Sequence, residues 1–215
     1  MSYTISPVVS DDVESVLKFL KRTFYLDEPI LRAVDYCQTG NDDTHDLDEY
    51  CRHSLPGCSF QAKDEDGNLI GVLVCDRCPV VNPTDCLTAL KDCKSPKYKT
   101  VIRMQIMREI IAEIWNQYPN DSELIEIKMA ATDPKWRNKG VMNKLMGVIE
   151  KTARDLGVRL LRIETSSAFS AKSAESKGFK CIFSRPYTEF QFDGKPFIIT
   201  EPPHLDDRIY IKELF

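Results

Sequence analysis

The chain has 215 residues, 29 Lys and Arg against 33 Asp and Glu, and a net charge of −4. That length fits a single α/β domain over residues 1–215 with material for a sizeable core, and the interspersed charges leave no basic face broad enough for duplex nucleic acid. The opening Met-Ser-Tyr-Thr-Ile-Ser lacks the charged and apolar regions of a secretory leader and no run approaches 18 apolar residues, so a cytoplasmic monomer without membrane or nucleic-acid partners is expected.

In chain order, residues 3–8 alternate weakly as a first strand. Ser10 then reads as the cap of a helix whose Val13, Val16, Leu17 and Leu20 form one stripe, with Asp11 and Asp12 suited to its first turn. Phe24-Tyr25-Leu26 precedes Asp27-Glu28-Pro29, where Pro at a first helical position starts a short helix. An acidic region, residues 41–49, leads into a third helix ending near Pro56. Residues 59–63 and 69–75, joined by a turn containing Gly67, read as a β-hairpin. A long loop with Pro79, Pro83 and Pro96 follows. Tyr98, Val101, Ile102, Ile106, Ile110 and Ile114 then mark one long amphipathic helix ending near Tyr118.

The second half reads as strand 124–131, a basic turn, helix 140–156, strand 160–164 and helix 168–177. Strand-like segments follow at 180–192, 197–200 and 209–212, with Asp193-Gly194 as a turn. The central strand-helix-strand is a right-handed parallel crossover, so the sheet is mixed. Cys37, Cys51, Cys58, Cys75, Cys78, Cys86, Cys93 and Cys181 read as free thiols in a chain without a leader. A zinc site from Cys75, Cys78, Cys86 and Cys93 is the alternative. Cys75 falls inside a strand pattern and the second pair is seven residues apart, so no metal is expected.

The turn before residue 140 carries the strongest chemical signal. The first turn of a helix points unpaired N–H groups at a positive dipole end, which favours a diphosphate; Gly140 allows close approach, and Lys135, Arg137 and Lys139 add charge. A solvated basic cap is the plainer reading of the turn alone. Neither GxGxxG nor GxxxxGK[ST] occurs anywhere in the chain.

RxxGx before a helix, here Arg137 to Val141, resembles the acetyl-coenzyme A loop of the GNAT N-acetyltransferase superfamily, with Met142 where that family prefers Gly or Ala. The element order resembles the same fold. Asp27-Glu28-Pro29, Ser166-Ser167-Ala168-Phe169-Ser170-Ala171 before Gly178-Phe179, and Pro203-His204 narrow the resemblance to the insect arylalkylamine N-acyltransferases. It implies an α/β fold with a mixed sheet of about seven strands flanked by helices on both faces. It also implies transfer of acetyl from acetyl-CoA, as co-substrate, to a small primary amine of the dopamine, tyramine or serotonin type, with no acyl-enzyme.

The resemblance assigns the coenzyme to Met129, Ala130, Ala131, Arg137, Asn138, Lys139, Gly140, Val141, Met142, Ser170 and Lys172. It assigns the amine to Phe24, Tyr25, Glu28, Pro29, Phe169 and His204, with Glu28 as general base and His204 as a relay for its proton. Many relatives protonate the leaving thiolate with a Tyr at the place of Ala174, which leaves Ser166 or Ser170 as acid candidates. Each has a plainer alternative: Glu28 as a favourable charge at a helix start, a Ser as a helix cap, His204 as a structural group. The acidic residues Asp42, Asp43, Asp46, Asp48 and Glu49 leave open a dicationic substrate such as agmatine or a polyamine, against a solvated helix face. A coenzyme-binding module without transfer activity remains the alternative of another class.

Overall fold

The structure, a computed structural model, describes residues 2–80 and 89–215; Pro83 of the expected loop and Cys86 lie outside them. Its elements are β1 (Tyr3–Pro7), α1 (Val13–Thr23), α2 (Pro29–Ala33), α3 (His45–Arg52), β2 (Phe60–Asp64), β3 (Leu69–Pro79), α4 (Pro96–Ala112), α5 (Ile114–Gln117), β4 (Glu123–Thr132), α6 (Val141–Asp155), β5 (Leu160–Thr165), α7 (Ala168–Ser176), β6 (Lys180–Pro186), β7 (Gln191–Phe192), β8 (Lys195–Pro196) and β9 (Asp206–Glu213). Seven strands form one sheet in the order β1-β2-β3-β4-β5-β9-β6, and β7 pairs with β8 apart from it. Among the described residues only the β4–β5 pair is parallel, the crossover running through α6. This is the α/β GNAT fold.

Alternation along β3, and along β4 with a bulge at Lys128 that switches its facing, divides the core between the two faces of the sheet. Val72, Val74, Met129 and Ala131 pack with α1 to α4. Leu73, Cys75, Ile125 and Ile127 pack with Val141, Leu145, Met146, Ile149 and Ala153 of α6 and with α7. Fully burying side chains such as Leu145 and Ile149 contributes roughly 1.5–3 kcal/mol each.

Four expectations need correction. Ser10 does not cap α1; residues Ser10–Asp12 form a 3-10 turn. The Asp12 carboxylate instead ties the turn together, accepting from the Val9 N–H at 3.1 Å and pairing with Lys63 at 2.8 Å. The long helix does not reach Tyr118 unbroken, because Glu113 turns left-handed (φ 44°, ψ 49°). That reversal buries Ala112 and Ile114 together against Ile209, at a strain of about 1–2 kcal/mol.

Residues 180–192 are not one strand, since a 3-10 turn at Tyr187–Glu189 interrupts them. Residues 197–200 form none: Ile198 is buried and Ile199 exposed, so the alternation is real, but no neighbouring strand pairs with it. Cys75 and Cys78 stand three apart on β3 and meet different clusters, on opposite faces of the sheet, so they do not converge as a ligand pair. Among the described residues no group of three His, Cys, Asp or Glu side chains is placed to hold a metal, and no helix is long and apolar enough to cross a membrane.

Candidate active site

The basic turn begins at Asp133, whose carboxylate accepts the Lys135 N–H at 3.0 Å and pairs with Arg22 at 3.0 Å. Asn138 (φ 62°) and Gly140 (φ 78°) are left-handed, a conformation natural to Gly and tolerated by Asn. Gly140 is the N-cap of α6 and offers no side chain to its first-turn N–H groups, which leaves them available to an anion. Arg137, Asn138, Lys139 and Gly140 are exposed. The Met142 side chain packs onto the core beneath α6. The Lys139 ammonium lies 5.2 Å from the Trp136 ring centre, and Arg137 pairs with Asp27 at 2.7 Å, which joins the turn to the segment carrying Glu28.

Gly71 sets how close α6 comes to the sheet. A Cβ there would stand 2.7 Å from Val141 Cγ1 and 3.3 Å from Leu145 Cδ1, so the first residue of α6 rests on a bare backbone.

Beside the turn, β4 and β5 part. They pair only from Leu124↔Leu160 to Ile127↔Ile163, while β4 continues to Thr132 against β3. Val74 pairs with Met129 and Cys75 with Ile127, so Lys128 is an extra, bulged residue. Among the described residues, 128–132 therefore have no strand partner on the β5 side, a free backbone edge that includes Met129, Ala130 and Ala131. Ser167 caps α7 by accepting the Phe169 N–H at 3.1 Å, and the Ser170 hydroxyl donates to the Ser167 carbonyl at 2.8 Å. Lys172 is exposed on the same helix.

The end of this edge opens on a cavity of about 90 Å³ lined by Phe24, Glu28, Met129 and Ser166 among others. Glu28 is both a cap and a cavity group: its carboxylate accepts the Leu31 N–H at 2.6 Å. Burial pushes its pKa up, while the Ser166 hydroxyl, the Leu31 and Ile30 N–H groups and the Arg108 charge pull it back. Arg108, from α4, is buried and pairs with Glu164 and with Asp207 at 3.3 Å. Burial pushes the Asp207 carboxyl up to about 7 against the pull of Arg108. The Tyr187 hydroxyl donates to the Ser166 carbonyl at 3.1 Å and so fixes the backbone beside Glu28.

Other expected amine residues lie elsewhere. Tyr25 is not a pocket wall: it is fully buried, its hydroxyl donating to Asp48 at 3.1 Å and lying 3.3 Å from the Cys51 sulfur. Phe169, 71% exposed, projects to solvent from the start of α7 and lines neither cavity. Pro29 and His204 line a separate, open cavity of about 630 Å³ together with Asp27, Arg32, Asp35 and Glu201. His204 is not brought into the cavity of Glu28 as a relay; its Nδ1 accepts the Ala168 N–H at 3.2 Å, and its ring meets Phe169 edge-on. Ala174 is buried in the core.

Arg108 escaped the sequence reading although a signal was present. It falls on the row Val101, Met104, Arg108 and Ala112, all buried, where a charge is out of place unless paired. Asp207 carries no such local signal.

The family model described as Acetyltransferase (GNAT) family matches residues 20–176. The chain belongs to this family. Among solved structures, this GNAT chain is similar to arylalkylamine N-acetyltransferase 2 of Aedes aegypti, at 22% identity over all of both chains with a TM-score of 0.92. Polyamine N-acetyltransferase of Drosophila melanogaster, an enzyme that forms N-acetylagmatine, shares 18% identity over 99% of this chain and all of its own, with a TM-score of 0.87. A mosquito arylalkylamine N-acetyltransferase, like 5b, shares 20% over the same coverage, also with a TM-score of 0.87. At these identities the likeness is one of fold.

Proposed function

We propose that this acetyltransferase moves the acetyl group of acetyl-CoA to a small primary amine by direct attack in a ternary complex. One observation carries the reading: a half-buried carboxylate, Glu28, lines the same cavity as Met129 on the free edge of β4. The diphosphate is assigned to Arg137, Asn138, Lys139, Gly140, Val141 and Met142, and the pantetheine arm to the backbone of Met129, Ala130 and Ala131, with Ser170 and Lys172 toward the nucleotide.

A primary ammonium has a pKa of about 10 and cannot attack until it loses a proton. Glu28 accepts that proton, directly or through a water. The freed lone pair attacks the thioester carbon, and the carbonyl oxygen becomes an oxyanion that backbone N–H groups of β4 stabilise, an effect worth roughly 2.7–4 kcal/mol per donor in other enzymes. Collapse expels the coenzyme thiolate. The proton still carried by the attacking nitrogen passes through Ser166 or Ser170 and ordered water to that thiolate, so the product amide carries no charge at nitrogen and the hydroxyl is restored.

Phe24 on the cavity wall and the arylalkylamine N-acetyltransferases of like fold support an arylalkylamine as acceptor. A second reading, agmatine or a polyamine, draws on the carboxylates of the cavity wall and on the Drosophila enzyme of like fold. Release of coenzyme thiol, measured over a panel of amines, tests transfer itself and separates it from coenzyme binding alone. Glu28→Gln is expected to lower kcat/KM by about 10²–10⁴-fold. In the wild type kcat/KM should rise with pH as Glu28 ionises; full activity of the variant removes Glu28 from the role of base.

A further inference from the structure

Polar groups that face a cavity without a protein partner are left to water or to a ligand, and here three half-buried residues and the buried Tyr98 stand around one cavity. The Glu28 cavity is also lined by Tyr50 of α3, Tyr98 and Gln105 of α4, and Glu126 of β4. Among the described residues, neither phenol hydroxyl, nor the Gln105 amide, nor the Glu126 carboxylate has a hydrogen-bond or ion-pair partner. Tyr50 and Glu126 lie close enough for the carboxylate to disfavour ionisation of the phenol.

Charge balance says what that ligand carries. Four carboxylates line the cavity, Glu28, Glu126, Glu164 and Asp207, against two cations, Arg108 and Lys128. Arg108 serves Glu164 and Asp207, and the Lys128 ammonium is held by Asp76 at 2.9 Å and Ser54 at 3.0 Å above the Tyr50 ring. Behind the wall, Glu109 and Arg162 pair with each other. Two carboxylates, Glu28 and Glu126, are left without a cationic side chain in contact. A monoamine answers one of them; the second calls for another cation on the same molecule. Burial and the nearby Glu164 push the Glu126 carboxyl up against the pull of Arg162 and Lys128, whose charges are already engaged by other carboxylates.

We infer that Glu126 is a specificity-determining residue that binds a second cationic group of the amine, so that the cavity selects diamines or guanidino-amines over monoamines of equal length. The Tyr50 and Tyr98 hydroxyls and the Gln105 amide complete the shell around that group. The inference rests on reading this cavity as the amine site.

Its test compares kcat/KM for cadaverine and pentylamine, equal in chain length and differing in one terminal ammonium, with tyramine and phenethylamine as a neutral hydroxyl pair. A hydrogen bond to a charged group contributes about 1.5–3 kcal/mol, so the wild type should prefer cadaverine by roughly 10- to 150-fold. The near-isosteric Glu126→Gln, checked for an unchanged melting temperature, should bring that ratio close to one. A wild-type ratio of one or below overturns the inference, as does a preference confined to tyramine or a ratio that survives Glu126→Gln. If no amine is acetylated, the transfer reading fails by itself. The cavity is then read by calorimetric titration with cadaverine and pentylamine, where equal affinity overturns the assignment of Glu126 and a cadaverine preference lost in Glu126→Gln sustains it.

Discussion

Gly71→Ala tests whether the geometry of the turn proposed to hold the diphosphate depends on the contact between α6 and the sheet. The added Cβ would lie 2.7 Å from Val141 Cγ1, whereas carbon atoms rest at about 3.5–4.0 Å. Relief requires roughly 1 Å of movement at the first residue of α6, where the N–H groups assigned to the diphosphate begin. Overpacking of this kind costs about 1–3 kcal/mol, or some 2–12 °C in melting temperature for a chain of this size. A 1 Å shift stretches a 2.9 Å hydrogen bond out of range. Losing one such bond to a charged group, about 1.5–3 kcal/mol, should weaken coenzyme A binding by roughly 10- to 150-fold. Titration calorimetry with coenzyme A and thermal unfolding read the two effects. Val141→Ala in the same chain removes Cγ1 and should restore much of both. A Gly71→Ala variant that binds coenzyme A within about twofold of the wild type refutes the reasoning.

Two further outcomes follow from the site. Asp207 titrates near 7 in the fold against an ordinary 3.8, so its contribution to stability is complete below about pH 4 and is lost as pH rises through 7; between pH 5 and pH 8 the loss is at most about 3 kcal/mol. Urea unfolding should show the wild type losing that stability relative to Asp207→Asn, and parallel pH profiles would sink the assignment. His204→Ala removes the acceptor of the Ala168 N–H and should cost about 1 kcal/mol, which Asn at the same position recovers; a tenfold fall in kcat with unchanged melting would instead make His204 part of the chemistry.

The order of strands and helices was legible because each element carries its own period, and Gly140 and Asp27-Glu28-Pro29 because a turn declares itself in a few adjacent residues. The remaining cavity groups were not, because their meaning lies in packing between distant segments. Arg108 and Asp207 are 99 residues apart in sequence, and nothing local to either names the other. Tyr25 shows the converse error: an aromatic beside a candidate catalytic Glu reads as a pocket wall, yet only the tertiary structure reveals Asp48 and Cys51 around its hydroxyl. At Glu113 the preference for two buried apolar neighbours outweighed the helical period that sequence inspection extends through it.

The parting of β4 from β5 has a consequence for what can enter. On the rim of a sheet, unclaimed amides and carbonyls invite association with other molecules; here they lie recessed in the middle of seven strands, with one neighbour still in register below the fork. Such a crevice admits a slender, extended guest and turns away a whole polypeptide sheet. Recognition through main-chain atoms asks little of the side chains flanking it, so the crevice can tolerate broad sequence drift so long as the fork stays open.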